Sequence, residues 1–332
     1  MKNKNFSLLL TVLAATLFAL ALSEALLRLS GKKPWSDYTI DTNEPRVFEY
    51  DDVLGWRNKQ GHYTMPGYSS GADPTEMTIL ENGSRITGEQ EKDQQKKFVI
   101  LGGSFTLGWA ISDTDTYPWK LQEKYPEFNV MNFGCNGYGT YQSLLVLENE
   151  FSNGSPPAIV LYSFMGHHEE RNVAPPEWMA ALSKLSNRRQ KVALPYCTID
   201  LAGQLVRHPP ESYPVWPFRQ SLALVPLVQK VSQLPTSRSR HRQKVAVTER
   251  LLLEMQEWTE LHGSDFAVAL LEASDAERAH YSDFLHRNEI KVIDCIHPMP
   301  PEMHVEGEGH PNGNMNTVWA ECIARGLAAQ QN

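Results

Sequence analysis

The stretch Phe98-Val99-Ile100-Leu101-Gly102-Gly103-Ser104-Phe105-Thr106-Leu107-Gly108 begins as an apolar run and ends as a glycine-flanked turn. An uninterrupted apolar run of this length suits a strand buried on both faces. The pattern returns along the chain. Asn129-Val130-Met131-Asn132-Phe133 closes on Gly134, and Ala158-Ile159-Val160-Leu161-Tyr162 ends near Gly166. Residues 266–271 and 291–294 supply a fourth and a fifth run. Helical patterning fills the gaps. One helix is expected from Thr140, as N-cap, through Tyr141, Leu144, Leu145 and Val146. A second carries Val247, Leu251, Met255 and Trp258 on one face, and the last starts near Asn314 with Met315, Val318, Trp319, Cys322 and Ile323 aligned. Strands alternating with helices predict a parallel α/β sheet covered on both faces.

Upstream, Lys2 and Lys4 precede a largely apolar stretch from Leu8 to Leu27, broken only by Thr11, Thr16, Ser23 and Glu24. Its length matches the hydrocarbon core of a bilayer. Ala21-Leu22-Ser23 is an acceptable signal-peptidase site, but the apolar pattern runs on through Ala25, Leu26 and Leu27, which favours an uncleaved anchor. Either reading exports the remainder, and residues 1–30 are assigned to this segment. Residues 31–95, rich in Pro, Gly, Tyr and Asp, form a lead-in expected to pack on the main domain, residues 96–332. Within the lead-in, residues 77–83 read as a short strand ending in an Asn82-Gly83 turn. An insertion at about residues 171–237 is long for one connection and carries Trp178, Tyr213 and Trp216, which can stack on sugar rings or simply pack.

A net charge of −8 over 332 residues disfavours nucleic acid as a partner. The basic run Arg238, Arg240, His241, Arg242 and Lys244 reads as a solvated helix face. Cys135, Cys197, Cys295 and Cys322 have no metal-ribbon spacing and leave the redox compartment and pairing open.

Ligands of open parallel sheets bind at the carboxyl ends of the strands, so the residues after each apolar run hold the candidate chemistry. Ser104 sits in the first such turn. No Lys-Ser/Thr follows the glycines, which excludes a P-loop, and Gly108 comes too late for a GxSxG elbow. After the second strand, the loop from Asn132 to Thr140 contains Gly134, Gly137 and Gly139, whose backbone N–H groups suit an oxyanion. Before the last helix, His310-Pro311-Asn312 follows Glu308: a neutral imidazole able to take a serine proton, with a carboxylate placed to orient it.

These three blocks, in this order, resemble the SGNH (GDSL-like) hydrolase family. Gly102-Gly103-Ser104 stands at its Gly-Asp-Ser block, Asn132 to Gly137 at its Asn-x-x-x-x-Gly loop, and Glu308-Gly309-His310-Pro311 at its Asp-x-(x)-His-Pro segment. Leu54-Gly55-Trp56-Arg57 and the N-terminal apolar helix look like a bacterial, exported, membrane-anchored subgroup of that family. The resemblance implies a three-layer α/β/α sandwich around a parallel, flavodoxin-like sheet, with no cofactor and no metal. The strand order of such folds separates strands two and five, which argues against a Cys135–Cys295 bridge. It further implies a periplasmic serine ester hydrolase on an inner-membrane anchor, with Ser104 as nucleophile, His310 as base and Glu308 as its orienter. The substrate class would be an O-acyl ester, such as an acetyl group on a cell-envelope glycan.

Three positions depart from the family pattern. Its third block, Gly-x-Asn, supplies an oxyanion-hole Asn, but here Gly166-His167-His168 puts His168 in that place, and Asn172 comes four residues late. The expected oxyanion hole is therefore Ser104 N–H, Gly137 N–H and the His168 imidazole. Glu308 replaces the usual Asp, and Gly103 replaces the aspartate beside the nucleophile. Rival readings are acyl transfer from the same serine to a sugar hydroxyl, a non-catalytic glycan-binding cleft, and a metal site built on His167, His168, Glu169 and Glu170, with His297, His304 and His310 as further ligands.

Overall fold

The computed structural model describes residues 2–35, 47–88, 96–152, 154–186 and 191–328. The chain opens with helix α1 (Lys2–Leu29), an apolar span with none of its hydrophobic window buried. The lead-in forms two antiparallel hairpins, β1 (Phe48–Asp51) with β2 (Gly55–Asn58), and β3 (Gly61–Met65) with β4 (Thr75–Ile79). The anticipated turn after β4 is present, with Gly83 at φ +80°. The expected boundary between lead-in and main domain, at residues 95 and 96, adjoins residues 89–95, which lie outside the described residues.

The main domain then runs β5 (Lys96–Gly102), α2 (Ser104–Leu107), α3 (Tyr117–Lys124), β6 (Phe128–Gly134), α4 (Thr140–Phe151) and β7 (Ile159–Met165). The inserted region adds α5 (His168–Val173), α6 (Pro176–Ser183), the antiparallel pair β8 (Ala193–Ile199) and β9 (Leu205–Ser212), and α7 (Leu224–Ser232). It closes with α8 (Leu234–His262), β10 (Asp265–Glu272), α9 (Asp275–Arg287), β11 (Lys291–Asp294) and α10 (Gly313–Ala328). All five expected parallel strands are present, within a few residues of their expected bounds.

The five-stranded sheet has the order β11-β10-β7-β5-β6, with every pairing parallel. The chain therefore steps from β5 to one side for β6 and to the other for β7, which makes the carboxyl end of β5 the topological switch point. Alternation along β5 divides the core. Phe98 and Ile100 pack with Tyr117, Leu121, Met315 and Trp319 of α3 and α10. Val99 and Leu101 pack with Leu144, Leu251, Met255 and Tyr281 of α4, α8 and α9. Helices thus cover both faces, as the strand pattern required.

Two local expectations are corrected. Gly139, not Thr140, is the N-cap of α4; the Thr140 hydroxyl instead accepts hydrogen bonds from Tyr162 and Asn172, at 2.9 Å each. The basic run is not a uniformly solvated face. Arg240 donates to the Val173 carbonyl and stacks 3.8 Å over Tyr196, His241 meets Glu177, and Lys244 pairs at 2.9 Å with the buried Glu169. Only Arg238 and Arg242 are left exposed. The run clamps α8 onto α5 and α6.

The lead-in is fastened by a buried cation. Arg85 is 1% exposed; its Nε donates to Asp113 at 2.7 Å, and its two terminal nitrogens reach the carbonyls of Glu76, Leu107, Gly108 and Ile111. Its backbone N–H donates to Asn132 O at 2.8 Å. One side chain so joins the β3–β4 hairpin to the segment that follows Ser104. Removing it strands Asp113 and several buried carbonyls. Arg85→Ala should therefore cost about 3–5 kcal/mol, read as a lowered unfolding midpoint of the full-length protein in detergent.

Candidate active site

Ser104 follows the last residue pair of β5 and opens α2, so its N–H has no intrahelical acceptor. The turn is tight: a Cβ on Gly134 would lie 2.2 Å from Leu107 N, so only glycine lets β6 pass this close. Asn132 locks the approach, donating to Thr106 O at 2.8 Å and accepting from Gly134 N at 2.9 Å.

The loop between β11 and α10 brings the partners. His310 Nε2 lies 3.0 Å from Ser104 Oγ, although the two residues are 206 apart in the chain. His310 Nδ1 lies 2.8 Å from both oxygens of Glu308, and one of those oxygens also accepts from the His310 backbone N–H at 2.8 Å. Gly309, at φ +96°, makes the turn that folds Glu308 back on the residue two positions later. The longer carboxylate thus fits a shorter segment. Ser104, His310 and Glu308 form one hydrogen-bonded relay.

Cys295 and Cys322 are bridged and close the loop that carries this pair. Closing a loop of 27 residues restricts the unfolded chain by about 3.5 kcal/mol on the chain-entropy view. Cys135 and Cys197 are free and buried.

Of the three expected oxyanion donors, two line the cavity and His168 does not. Gly137, at φ +82°, lines the cavity onto which Ser104 opens. His168 does not line it. Its ring is wholly buried, Nδ1 pairs with the Tyr162 hydroxyl at 2.7 Å, and Nε2 lies 2.9 Å from where a Cβ on Gly103 would stand. Burial first, then the neighbouring His167 and Arg171, hold the His168 ring well below the usual imidazole value, so it is neutral. Asn172 is structural: its amide donates to Thr140 and Thr248 and accepts from Tyr141 N.

Arg171 stands in the wall instead. One turn of α5 after His168, its guanidinium lines the cavity, donates from Nη1 to Tyr138 O at 2.8 Å and sits 5.4 Å from the Trp178 ring centre. Nη1 also lies 3.1 Å from the hypothetical Cβ of Gly103. Among the described residues Arg171 has no ion-pair partner within 4.0 Å. Burial lowers it to about 10, so it remains charged at neutral pH. His167 is pushed down to about 3, first by its own burial and then by the Arg171 charge nearby.

The cavity holds about 620 Å³, within the range of small-molecule sites. Its wall is largely apolar and much of it comes from the lead-in: Val47, Phe48, Trp56, Met65 and Pro66. Trp178, Leu182 and Leu185 close another side. Three polar atoms of lining residues are buried without a protein partner: Tyr68 OH, Asn136 Oδ1 and Trp178 Nε1. Of the three aromatics singled out in the insertion, only Trp178 is at this cavity. Tyr213 lies against Arg219, and Trp216 is on the exterior.

The ligand-rich cluster at residues 167–170 disperses. His168 turns to Tyr162, Glu169 to Lys244 and Tyr281, and His167 toward Glu272 at 3.7 Å. Among the described residues no three His, Cys, Asp or Glu side chains gather as metal ligands.

No family model and no curated protein matches the chain. Solved structures do resemble it. A lipolytic protein of the G-D-S-L family from Desulfitobacterium hafniense shares 13% identity, with 70% of this chain and 100% of that one covered at a TM-score of 0.42. A protein described as TesA shares 10%, with 70% and 99% covered at 0.42. The psychrotrophic esterase EstA from Pseudoalteromonas sp. shares 11%, with 72% and 100% covered at 0.40. Likeness this distant carries no statement about activity, which has to come from the side chains of the site.

His304, first a candidate ligand, serves the relay from behind. Its Nδ1 lies 2.7 Å from Gly309 O and its Nε2 2.9 Å from Met299 O. Two carbonyl acceptors favour the doubly protonated ring, and these contacts raise its pKa. The loop contact is therefore complete below the unfolded histidine value of about 6.5 and is lost as pH rises through the higher folded value. Hydrogen exchange at Val305 and Asn312, corrected for intrinsic rate, should quicken relative to the sheet as pH climbs above neutrality. In His304→Phe that protection should already be weak in mild acid.

Proposed function

We propose that this chain is a divergent SGNH-type serine ester hydrolase that cleaves O-acyl esters. The observation that carries the reading is the relay itself, Glu308 to His310 to Ser104 in hydrogen-bond contact at the switch point of the sheet. His310 Nε2 takes the Ser104 proton as Oγ attacks the ester carbonyl, while Glu308 holds Nδ1–H and stabilises the imidazolium. The tetrahedral oxyanion is received by the N–H groups of Ser104 and Gly137 and by the Arg171 guanidinium, which takes the role first given to His168. The C–O bond to the alcohol breaks as His310 returns the proton to the leaving oxygen. Water, deprotonated by the same imidazole, then attacks the acyl-serine; the bond from the acyl carbon to Ser104 Oγ breaks as His310 returns that proton to Oγ, and the acid leaves.

The cavity shapes the choice of ester. Its apolar wall favours an acyl group longer than acetyl, so an acetylated glycan is the less suitable substrate within this class. The unpartnered Tyr68, Asn136 and Trp178 atoms offer hydrogen bonds to the polar ester and alcohol portion. We further place α1 in the bacterial inner membrane with the hydrolase body on the periplasmic side. The apolar span supports the membrane, and the Cys295–Cys322 bridge supports an oxidising compartment.

Ser104→Ala should abolish turnover of p-nitrophenyl acyl esters while leaving the circular dichroism and unfolding midpoint unchanged; turnover that survives it rejects the relay. Across acyl lengths, kcat/KM of the native protein should rise from acetyl toward medium chains.

Arg171→Met should lower kcat by about 10²–10³-fold with a smaller change in KM. An unaltered kcat would remove the guanidinium from the oxyanion site.

A further inference from the structure

Helix α7 is inside out. On a helix facing water the apolar stripe packs inward, yet the one buried residue of α7 is Gln229, which donates to Pro214 O at 2.7 Å. Just beyond the helix, Gln233 accepts from the Tyr213 hydroxyl. The polar side therefore meets the protein, and Leu227, Val228 and Val231 face outward, the last at 57% exposure. Phe218, Leu222 and Leu234 extend the patch on either side, with Phe218 at 72%. A run of large apolar side chains of this kind on a soluble surface marks an interaction site.

What covers it is indicated by the contact between α7 and α1. The Glu24 carboxylate accepts from the backbone N–H groups of Ala223 and Leu224, at 2.9 Å each, and so caps α7. Arg28 pairs with Glu24 at 2.6 Å and donates to Ser221 O at 2.7 Å. Glu24 belongs to the last part of the apolar span Asn5–Leu29. A span of 25 residues is about 37 Å long, more than the ~30 Å hydrocarbon core, so its final turns lie in the interfacial layer. A helix capped from Glu24 starts at that depth.

We propose that residues 215–234 form a membrane-surface element, lying on the bilayer that α1 crosses and sinking Phe218, Leu227, Val228 and Val231 into the boundary between headgroups and acyl chains. Lys32, Lys33 and Lys230 are exposed beside it and suit anionic headgroups. The body is thereby held down at a second point and cannot swing freely on its anchor.

The test uses the full-length protein in vesicles of phosphatidylethanolamine and phosphatidylglycerol, with brominated lipid as a quencher. The free cysteines Cys135 and Cys197 are buried, so a fluorophore can be directed to a cysteine introduced at Leu227, Val231, Leu17 or, on the exposed part of α9, Arg287. Labels at Leu227 and Val231 should lose emission about as strongly as the label at Leu17 in the span, and the Arg287 label should keep its emission. A label at Phe218 should lose its quenching when Leu227→Glu and Val231→Glu are combined. Labels at Leu227 and Val231 as bright as that at Arg287 would overturn the proposal, as would an unquenched Leu17. Disulfide-linked dimers of Leu227→Cys formed in the vesicles would assign the patch to a second copy of this chain instead.

Discussion

The whole site depends on where the chain reverses its walk across the sheet. Because β6 and β7 flank β5 on opposite sides, the loops after all three strands open around the end of β5. Ser104 starts there on a short helix, Gly137 arrives after β6, and Arg171 arrives one helix turn after β7. The fourth contribution is remote in sequence. The loop between β11 and α10 reaches back over the sheet to place His310 against Ser104, and α10 returns to pack Trp319 against Phe105, beside the nucleophile. Rings stacked at 5.6 Å tie the segment after His310 to the segment that begins at Ser104 through the core itself. The relay is thus fixed at both ends by packed elements, and its geometry is set before anything binds.

The lead-in contributes as much to the site as the sheet does. Trp56 donates from its indole to Asn136 O at 2.9 Å, and Tyr138 donates from its hydroxyl to Trp56 O. The loop bearing Gly137 is held between those two contacts. Asn58 reaches Gly134 O from the same hairpin, and Arg85 grips the carbonyls behind α2. The parallel sheet alone would leave the Gly137 loop half-supported and the cavity open. Two small hairpins that cannot bury a core of their own gain one by packing here, and the cavity gains a wall.

Sequence reading captured what depends on local pattern. Apolar runs marked the strands, their order of appearance marked the parallel sheet, and the loops after them marked Ser104, Gly137, Glu308 and His310, which the fold brings to one end of β5. What it missed depends on side-chain direction. His168 matches the family position of the missing Asn, but a helix starts at that residue and turns its ring into the core, while the residue three positions on points toward the cavity. A charge at i+3 on a six-residue helix carries no periodic signal. The clamp made by Arg240, His241 and Lys244 was equally hidden, because a basic run reads the same whether it meets water or carboxylates. The Cys295–Cys322 bridge joins the last strand to the last helix, a pairing that spacing leaves open.

Gly103 makes the unusual site possible. With no side chain at the residue before Ser104, His168 Nε2 and Arg171 Nη1 come to 2.9 and 3.1 Å from the point where a Cβ would stand. An aspartate there would crowd both and would set an anion beside Arg171, the only Lys or Arg among the described residues that line the cavity. The missing side chain at Gly103 and the Arg171 charge thus belong together: the first leaves room beside Ser104, and the second stands at the edge of that room. Among the described residues the Arg171 guanidinium has no carboxylate within ion-pair distance, and holding a charge unpaired in a largely apolar wall is costly in the resting protein. Helix α6 then links this site to the outside. It presents Trp178 and Leu182 to the catalytic cavity and Pro176 and Ala180 to a second hollow, shared with Pro226 and Gln229 of α7. Helices α6 and α7 thus stand in series between the cavity that holds Ser104 and the outward apolar face of Leu227, Val228 and Val231.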